Sequence, residues 1–90
     1  MLTDVDRAHK HAGKHRAEVL ASRICGCFYC LGTFPPRDIT EWVDSGETAL
    51  CPKCGIDSVL GSKSGCPVDD RKFMRRMYER WFSPVRVRRP

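Results

Sequence analysis

Two Cys-x-x-Cys pairs, Cys27/Cys30 and Cys51/Cys54, constrain the fold of this chain more than any other feature of its sequence. A two-residue gap lets one tight turn direct two thiolates at a single metal ion, and a second such turn completes a tetrahedron. Gly55 follows the second pair directly, where a positive φ lets its N–H turn back toward a sulfur. The spacing therefore predicts one closed, structural Zn²⁺ site formed by Cys27, Cys30, Cys51 and Cys54.

The cysteines also leave other interpretations open. A secreted disulfide framework is one, but the polar N-terminal residues lack the apolar run of a signal peptide. A thioredoxin-like redox site would need one pair alone at a helix start, whereas here two pairs match each other. Cys25 could replace Cys27 as a metal ligand, although the four-residue gap between Cys25 and Cys30 does not suit a zinc knuckle, the tight turn that a Cys-x-x-Cys pair forms. We expect Cys25 to be a small buried side chain and Cys66 to be an unpaired thiol near the last helix.

The length of the chain makes the metal important for folding. In a domain of 90 residues, apolar burial alone is marginal, and a structural zinc ion contributes on the order of 10–16 kcal/mol. We therefore expect the metal-free protein to be largely unfolded. The predicted fold class is a small α+β zinc-stabilised domain, a zinc-ribbon-like or treble-clef-like double knuckle with a C-terminal amphipathic helix.

The sequence divides into three segments: a polar N-terminal helix over residues 1–23, a zinc-knuckle domain over 24–82 and a basic tail over 83–90. We expect the helix itself to cover 3–23. No apolar stretch approaches the ~20 residues of a membrane span, and we expect a reduced, cytoplasmic compartment with no membrane partner.

Within the knuckle domain, residues 24–34 read as a hairpin whose turn is the first knuckle. Strands over 48–50 and 56–60 lead into and out of the second knuckle. Residues 37–43 are predicted to form a short helix, because Ile39, Trp42 and Val43 share one helical face.

The most convincing helix follows Pro67, with Asp69 as its N-cap and Pro84 as its stop signal. Its apolar residues recur at helical spacing and predict a buried face. They are Phe73, Met74, Met77, Tyr78, Trp81 and Phe82.

The motifs of this chain resemble those of a family of small, uncharacterised bacterial cytoplasmic proteins. The similarity lies in CGCFYC at 25–30, FPP at 34–36, EW at 41–42, TALCPKCGIDSV at 48–59 and WF at 81–82. The resemblance implies a zinc-binding cytoplasmic protein and supplies no established activity. Members often carry an aromatic residue at the position of Cys66, which implies that Cys66 is not a ligand. Beside the pattern of that family, the arginine-rich tail after Phe82 looks peculiar to this sequence.

Charge is distributed unevenly along the chain, whose formal net charge is +5. Residues 71–90 carry eight basic side chains against one acidic one, whereas residues 31–70 have an excess of acids. Guanidinium groups suit bidentate phosphate contacts, and seven of the eight basic residues are arginines. The candidate nucleic-acid contacts are Arg71, Lys72, Arg75, Arg76, Arg80, Arg86, Arg88 and Arg89.

Three functional hypotheses follow from these features. The first is a non-catalytic zinc protein that binds DNA or RNA through the C-terminal arginines. The second is an adaptor that docks on an acidic protein partner. The arginines also fit a non-functional interpretation, a solvated basic face that pairs with the acidic middle segment. The third is an HNH-like nuclease, which needs a histidine base near the second knuckle, yet every histidine lies at or before position 15. A closed Cys₄ site offers no position for water, and no small-molecule substrate is evident.

Several single residues have a functional and a structural interpretation. Phe28, Tyr29 and Trp42 are expected in the core rather than as base-stacking platforms. Asp57 and Ser58 are expected to serve turn chemistry rather than a binding surface. The histidines at positions 9, 11 and 15 are expected to be solvated on a helix surface rather than to form an accessory metal site.

Overall fold

A computed structural model of the protein describes residues 4–82 and shows a small α+β fold. The helices are α1 (Asp4–His9), α2 (Arg16–Leu20) and α3 (Arg71–Trp81), and the strands are β1 (Cys25–Cys27), β2 (Thr33–Phe34), β3 (Trp42–Val43), β4 (Thr48–Ala49) and β5 (Val59–Gly61). Short 3₁₀ turns cover Pro36–Asp38 and Ser62–Ser64. Among these helices none is long and apolar enough to cross a membrane. The predicted tail over 83–90, its arginines and Pro84 lie outside the described residues.

Strand β1 is the centre of a three-stranded antiparallel sheet in the order β2-β1-β5. Cys25 pairs with Phe34 on one side and with Gly61 on the other. The hairpin predicted over 24–34 is thus confirmed, with the first Cys-x-x-Cys pair at its turn. Strands β3 and β4 form a separate two-stranded ladder in which Trp42 lies opposite Ala49.

The sheet separates two apolar cores because successive strand residues point to opposite faces. One core joins α1, the sheet and α3, and the other joins α2, the sheet and the metal-binding loops. The first contains Val5, Ala8, Ala12, Phe28, Leu60, Val68, Phe73, Met74 and Met77. The second contains Val19, Cys25, Cys27, Phe34, Ile39, Ala49, Cys51 and Val59. Residues of the predicted N-terminal segment therefore take part in both cores.

Gly26 allows the segment that precedes α3 to lie directly on β1. A Cβ at this position would meet the Val68 carbonyl oxygen at 2.7 Å and the Met74 side chain at 3.1 Å. Only glycine fits such a close backbone approach. This contact places α3 next to the hairpin that carries the first knuckle.

The continuous N-terminal helix predicted over 3–23 is wrong, because tertiary hydrogen bonds interrupt it between α1 and α2. Lys14 has a positive φ of 49°, and its N–H donates to Thr48 Oγ1 over 2.8 Å. The N–H of His15 donates to the Glu47 carbonyl over 2.8 Å. These bonds tie the break between α1 and α2 to Glu47 and to the first residue of β4, and they replace helical bonds.

Two local predictions also need correction. Residues 37–43 form a 3₁₀ turn and then strand β3 rather than a helix, because Trp42 and Val43 pair with β4. The N-cap of α3 is Asp70 and not Asp69, since the Asp70 carboxylate accepts from the N–H groups of Lys72 and Phe73. The buried face of α3 is confirmed for Phe73, Met74 and Met77, and its last aromatic residues are partly exposed.

Candidate metal centre

The sulfurs of Cys27, Cys30, Cys51 and Cys54 lie within 4.8 Å of one another, as a metal site requires. The distance is 3.6 Å between the Cys27 and Cys54 sulfurs and 3.8 Å between those of Cys30 and Cys51. A tetrahedron with zinc–sulfur bonds of ~2.3 Å has edges of about 3.8 Å. Each short edge joins one cysteine of the first pair to one of the second. The four thiols therefore form one group that can hold a metal ion and link the two loops.

The two Cys-x-x-Cys turns have the same backbone hydrogen bonds. In the first, the N–H of Tyr29 donates to Cys27 Sγ over 3.3 Å, and the N–H of Leu31 donates to the Cys27 carbonyl over 2.8 Å. In the second, Lys53 and Gly55 repeat these bonds to Cys51 at 3.3 and 2.9 Å. N–H groups that point at a sulfur stabilise its thiolate form. The chain thus builds two equivalent knuckles.

Both knuckles need a left-handed residue directly after their second cysteine. Gly55 has a φ of 82°, as expected for glycine, and Leu31 has a φ of 64° at the equivalent position. Leucine is strained in this conformation, at a cost of order 1–3 kcal/mol. The knuckle geometry requires the turn at both positions whatever residue the sequence supplies there.

Ser58 directly precedes β5 and contacts the cysteine cluster. It is 0% exposed, and its Oγ lies 3.0 Å from Cys27 Sγ. A hydroxyl at that distance can donate a hydrogen bond to the thiolate that a metal requires. The turn-chemistry role expected for Ser58 is therefore wrong, and its neighbour Asp57 is exposed.

The surroundings of the sulfurs shift their pKa values in different directions. Burial raises the pKa of the Cys27 thiol well above its usual range, and burial also raises the pKa of Cys54. For Cys51 burial acts in the same direction, but hydrogen bonds from the N–H groups of Lys53 and Cys54 and from the neighbouring thiols of Cys54 and Cys30 together outweigh it and lower the pKa. Four thiolates together are therefore unfavourable without a cation. A divalent metal that displaces the protons fits this set of donors.

The two remaining cysteines lie apart from this group. Cys25 is fully buried in the second core, and burial raises its pKa to about 11, as expected for an inert side chain. Cys66 is partly buried and packs against the first core. The prediction that Cys27 rather than Cys25 belongs to the cluster agrees with the geometry.

The three histidines differ from the expected solvated row on one helix. His15 is buried at 5% exposure, with Nδ1 donating to the His11 carbonyl over 2.6 Å and Nε2 accepting from the Ala49 N–H over 3.1 Å. His11 lies 3.0 Å from the Glu18 carboxylate, and the ring of His9 stacks on Trp81 at 3.8 Å. His15 is therefore a structural residue that joins the N-terminal segment to β4.

The described part of the basic cluster lies on α3 and divides into two groups. Arg76 forms an ion pair with Asp4, and Arg80 lies 3.2 Å from Asp6, so both bind to α1 rather than to the acidic middle segment. The other group is exposed on the outer face of the helix and consists of Arg71, Lys72 and Arg75. We call these three residues the α3 basic face.

The aromatic residues next to the first knuckle only partly meet the expectation of a core. Phe28 is buried, whereas Tyr29 is 43% exposed. The ring of Tyr29 lies 4.9 Å from Phe82 and 5.9 Å from Tyr78. Trp42 is partly buried, and the guanidinium carbon of Arg16 lies over its ring, 4.4 Å from the ring centroid. Tyr29 is therefore the one of the three that presents its ring beside both the knuckle and α3.

Comparison with known proteins gives no match to a family model, to a curated protein or to a solved structure. The assignment of the site therefore rests on the arrangement of the chain's own residues, and the resemblance seen in the motifs stays a prediction.

Proposed function

We propose that the protein is a zinc-stabilised, non-catalytic module that binds nucleic acid through the α3 basic face. One Zn²⁺ at Cys27, Cys30, Cys51 and Cys54 joins the hairpin turn to the second loop. Zinc fits best because four thiolates in a compact tetrahedral group match its preferred coordination. Four protein ligands leave no coordination position for water or substrate, so the ion supplies folding energy rather than catalysis.

The observation that carries the nucleic-acid proposal is the exposure of three cations on one helical face. Arg71, Lys72 and Arg75 are solvent-exposed, and none forms an ion pair with another residue in 4–82. Arg75 is four residues after Arg71 and three after Lys72, so it lies on the same side of the helix as each of them. Their charges are thus available to a polyanion, whereas Arg76 and Arg80 are partly neutralised by α1.

The phosphates of a nucleic-acid backbone suit this face, because its cations are exposed side by side on the helix. Neutralising phosphates releases condensed counterions, which favours binding and makes it steeply dependent on salt. His15 is unsuited to be the base that the nuclease hypothesis needs, because it is buried and hydrogen-bonded on both nitrogens. The acidic-partner hypothesis uses the same cations, and the binding experiment described next distinguishes it from the nucleic-acid hypothesis.

The proposal is tested by measuring binding of the zinc-loaded protein to short DNA and RNA oligonucleotides across a salt series. Replacing Arg71, Lys72 and Arg75 by glutamine should weaken binding at least tenfold and reduce the salt slope by up to about three. The matched control replaces three exposed cations elsewhere, Arg23, Arg37 and Lys63, and changes the net charge equally.

Equal loss in both triple variants would show that net charge rather than the α3 basic face determines binding. No binding to either nucleic acid at low salt would overturn the proposal and favour an acidic protein partner. Native mass spectrometry tests the metal separately, with one zinc ion per chain as the expected result.

A further inference from the structure

A groove runs between the first knuckle and α3. A cavity of about 420 Å³ is lined by Tyr29, Cys30, Leu31, Arg75, Tyr78 and Glu79. A smaller cavity of about 190 Å³ also has Leu31 in its wall and reaches Arg71 near the start of α3. We call the two together the knuckle groove. One of its sides therefore carries two residues of the α3 basic face.

The larger cavity has aromatic side chains on both of its sides. Tyr29 comes from the knuckle and Tyr78 from α3, and their ring centroids are 5.9 Å apart with a tilt of 57°. Phe82 contacts both rings, at 4.9 Å from Tyr29 and 6.0 Å from Tyr78. These contacts orient the Tyr29 ring and still leave the residue 43% exposed. An oriented, exposed ring is suited to stacking against a planar group.

Each cavity of the knuckle groove is lined by one arginine of the α3 basic face and one carboxylate, Arg75 with Glu79 in the larger cavity and Arg71 with Asp69 in the smaller one. Arg71 and Arg75 are one turn apart on α3, a rise of about 6 Å. The Glu79 carboxylate lines the larger cavity, where it would repel a phosphate. A base in the larger cavity places its phosphates on the exposed α3 basic face and away from the Glu79 carboxylate.

We propose that the knuckle groove binds an unpaired nucleobase of single-stranded nucleic acid, which stacks on Tyr29 while the adjoining phosphates contact Arg71, Lys72 and Arg75. This inference rests on the proposed nucleic-acid function and names its substrate class. The bases of a duplex are stacked and paired, so only an unpaired base can enter the groove. The protein should therefore prefer single strands to duplexes of the same sequence.

The test compares three probes by fluorescence anisotropy: a short single strand, its duplex, and a single strand of equal length whose sugars carry no bases. The wild type should bind the first probe most tightly. Tyr29→Ala should weaken binding of that probe about tenfold or more and leave binding of the base-free probe unchanged. Tyr29→Phe is the matched control, since it retains the ring and should bind nearly as tightly as the wild type.

Folding of each variant is checked by the absorption spectrum of its cobalt-substituted form. Where Tyr29→Ala alters that spectrum, Tyr29→Leu takes its place, because leucine keeps the apolar volume without a ring. This inference would be overturned if the wild type bound the single strand and the duplex equally and if removal of the ring, in Tyr29→Ala or Tyr29→Leu, had no effect. If the α3 basic-face variant still weakened binding, the proposed function would stand. If the wild type bound none of the three probes, both this inference and the proposed function would be overturned.

Discussion

Replacing Ser58 by alanine tests whether this residue supports the metal centre. Its hydroxyl is fully buried and lies 3.0 Å from Cys27 Sγ. Once a metal binds, Cys27 is a buried thiolate, and a hydrogen bond to a charged group contributes about 1.5–3 kcal/mol. The other donors to this sulfur are the N–H groups of Tyr29 and Cys30, at 3.3 and 3.5 Å. These bonds are longer, so they compensate little for the lost hydroxyl.

The full loss should appear in zinc affinity, because metal binding and folding are coupled in so small a domain. A cost of about 1.5–3 kcal/mol corresponds to roughly a 10- to 100-fold weaker zinc affinity. That range is the one found when outer-shell partners of metal ligands are removed. We would measure it by competition with a chromophoric chelator and follow the cadmium-113 NMR shift of the substituted site.

Ser22→Ala is the matched control for a buried hydroxyl with no sulfur partner. Ser22 donates to the Glu18 carbonyl over 2.8 Å and accepts from the Lys63 N–H over 2.9 Å. It should lower the stability of the fold but leave the cadmium-113 shift unchanged, whereas Ser58→Ala should move it. An unchanged shift in Ser58→Ala together with zinc affinity within about threefold of the wild type would refute the reasoning.

Four further predictions follow from the described contacts. Removing the metal with a strong chelator should unfold the protein reversibly by circular dichroism, and a retained fold would contradict a structural role. His15→Ala should cost about 2–4 kcal/mol in urea unfolding, because it leaves two buried hydrogen bonds unmade and opens a cavity. Asp70→Ala should cost about 1 kcal/mol through loss of the α3 cap, while Asp69→Ala should change stability by less than about 0.5 kcal/mol. Arg76 lowers the pKa of Asp4 chiefly by a side-chain hydrogen bond, so Arg76→Gln should raise that pKa toward its ordinary value in an NMR titration. Since the carboxyl's pKa is lowered in the fold, its stabilising effect should be lost as the pH falls through that value, and an unchanged titration would exclude the ion pair in solution.

The features that sequence reasoning predicted are those fixed by neighbouring residues. The spacing of the Cys-x-x-Cys pairs depends on single tight turns, so the grouping of the four thiols could be predicted without knowledge of the fold. The hairpin around the first pair and the buried face of α3 follow equally local patterns. The α3 cap was misplaced by one residue because Asp69 and Asp70 have the same capping chemistry.

The features that were missed depend on partners far along the chain. His15 is buried because it binds the Ala49 N–H, and Ser58 contacts Cys27 across a separation of 31 residues. No local signal marks either contact. The helix predicted over 37–43 rested on a single turn of apolar spacing. Such a short pattern fits a strand equally well, and pairing of Trp42 with Ala49 decided the outcome.

The two knuckles share a backbone but differ in the residue that follows their second cysteine. The second knuckle places Gly55 at its left-handed position, where the turn carries no strain. The first uses Leu31 there, and this side chain packs against the first core and lines the knuckle groove. Backbone strain alone would favour glycine at both positions, whereas packing of the Leu31 side chain against the first core offsets that strain. Leu31 and Tyr29 therefore combine a metal-binding backbone with side chains that shape the groove, and Leu31→Gly should leave zinc bound while it weakens single-strand binding.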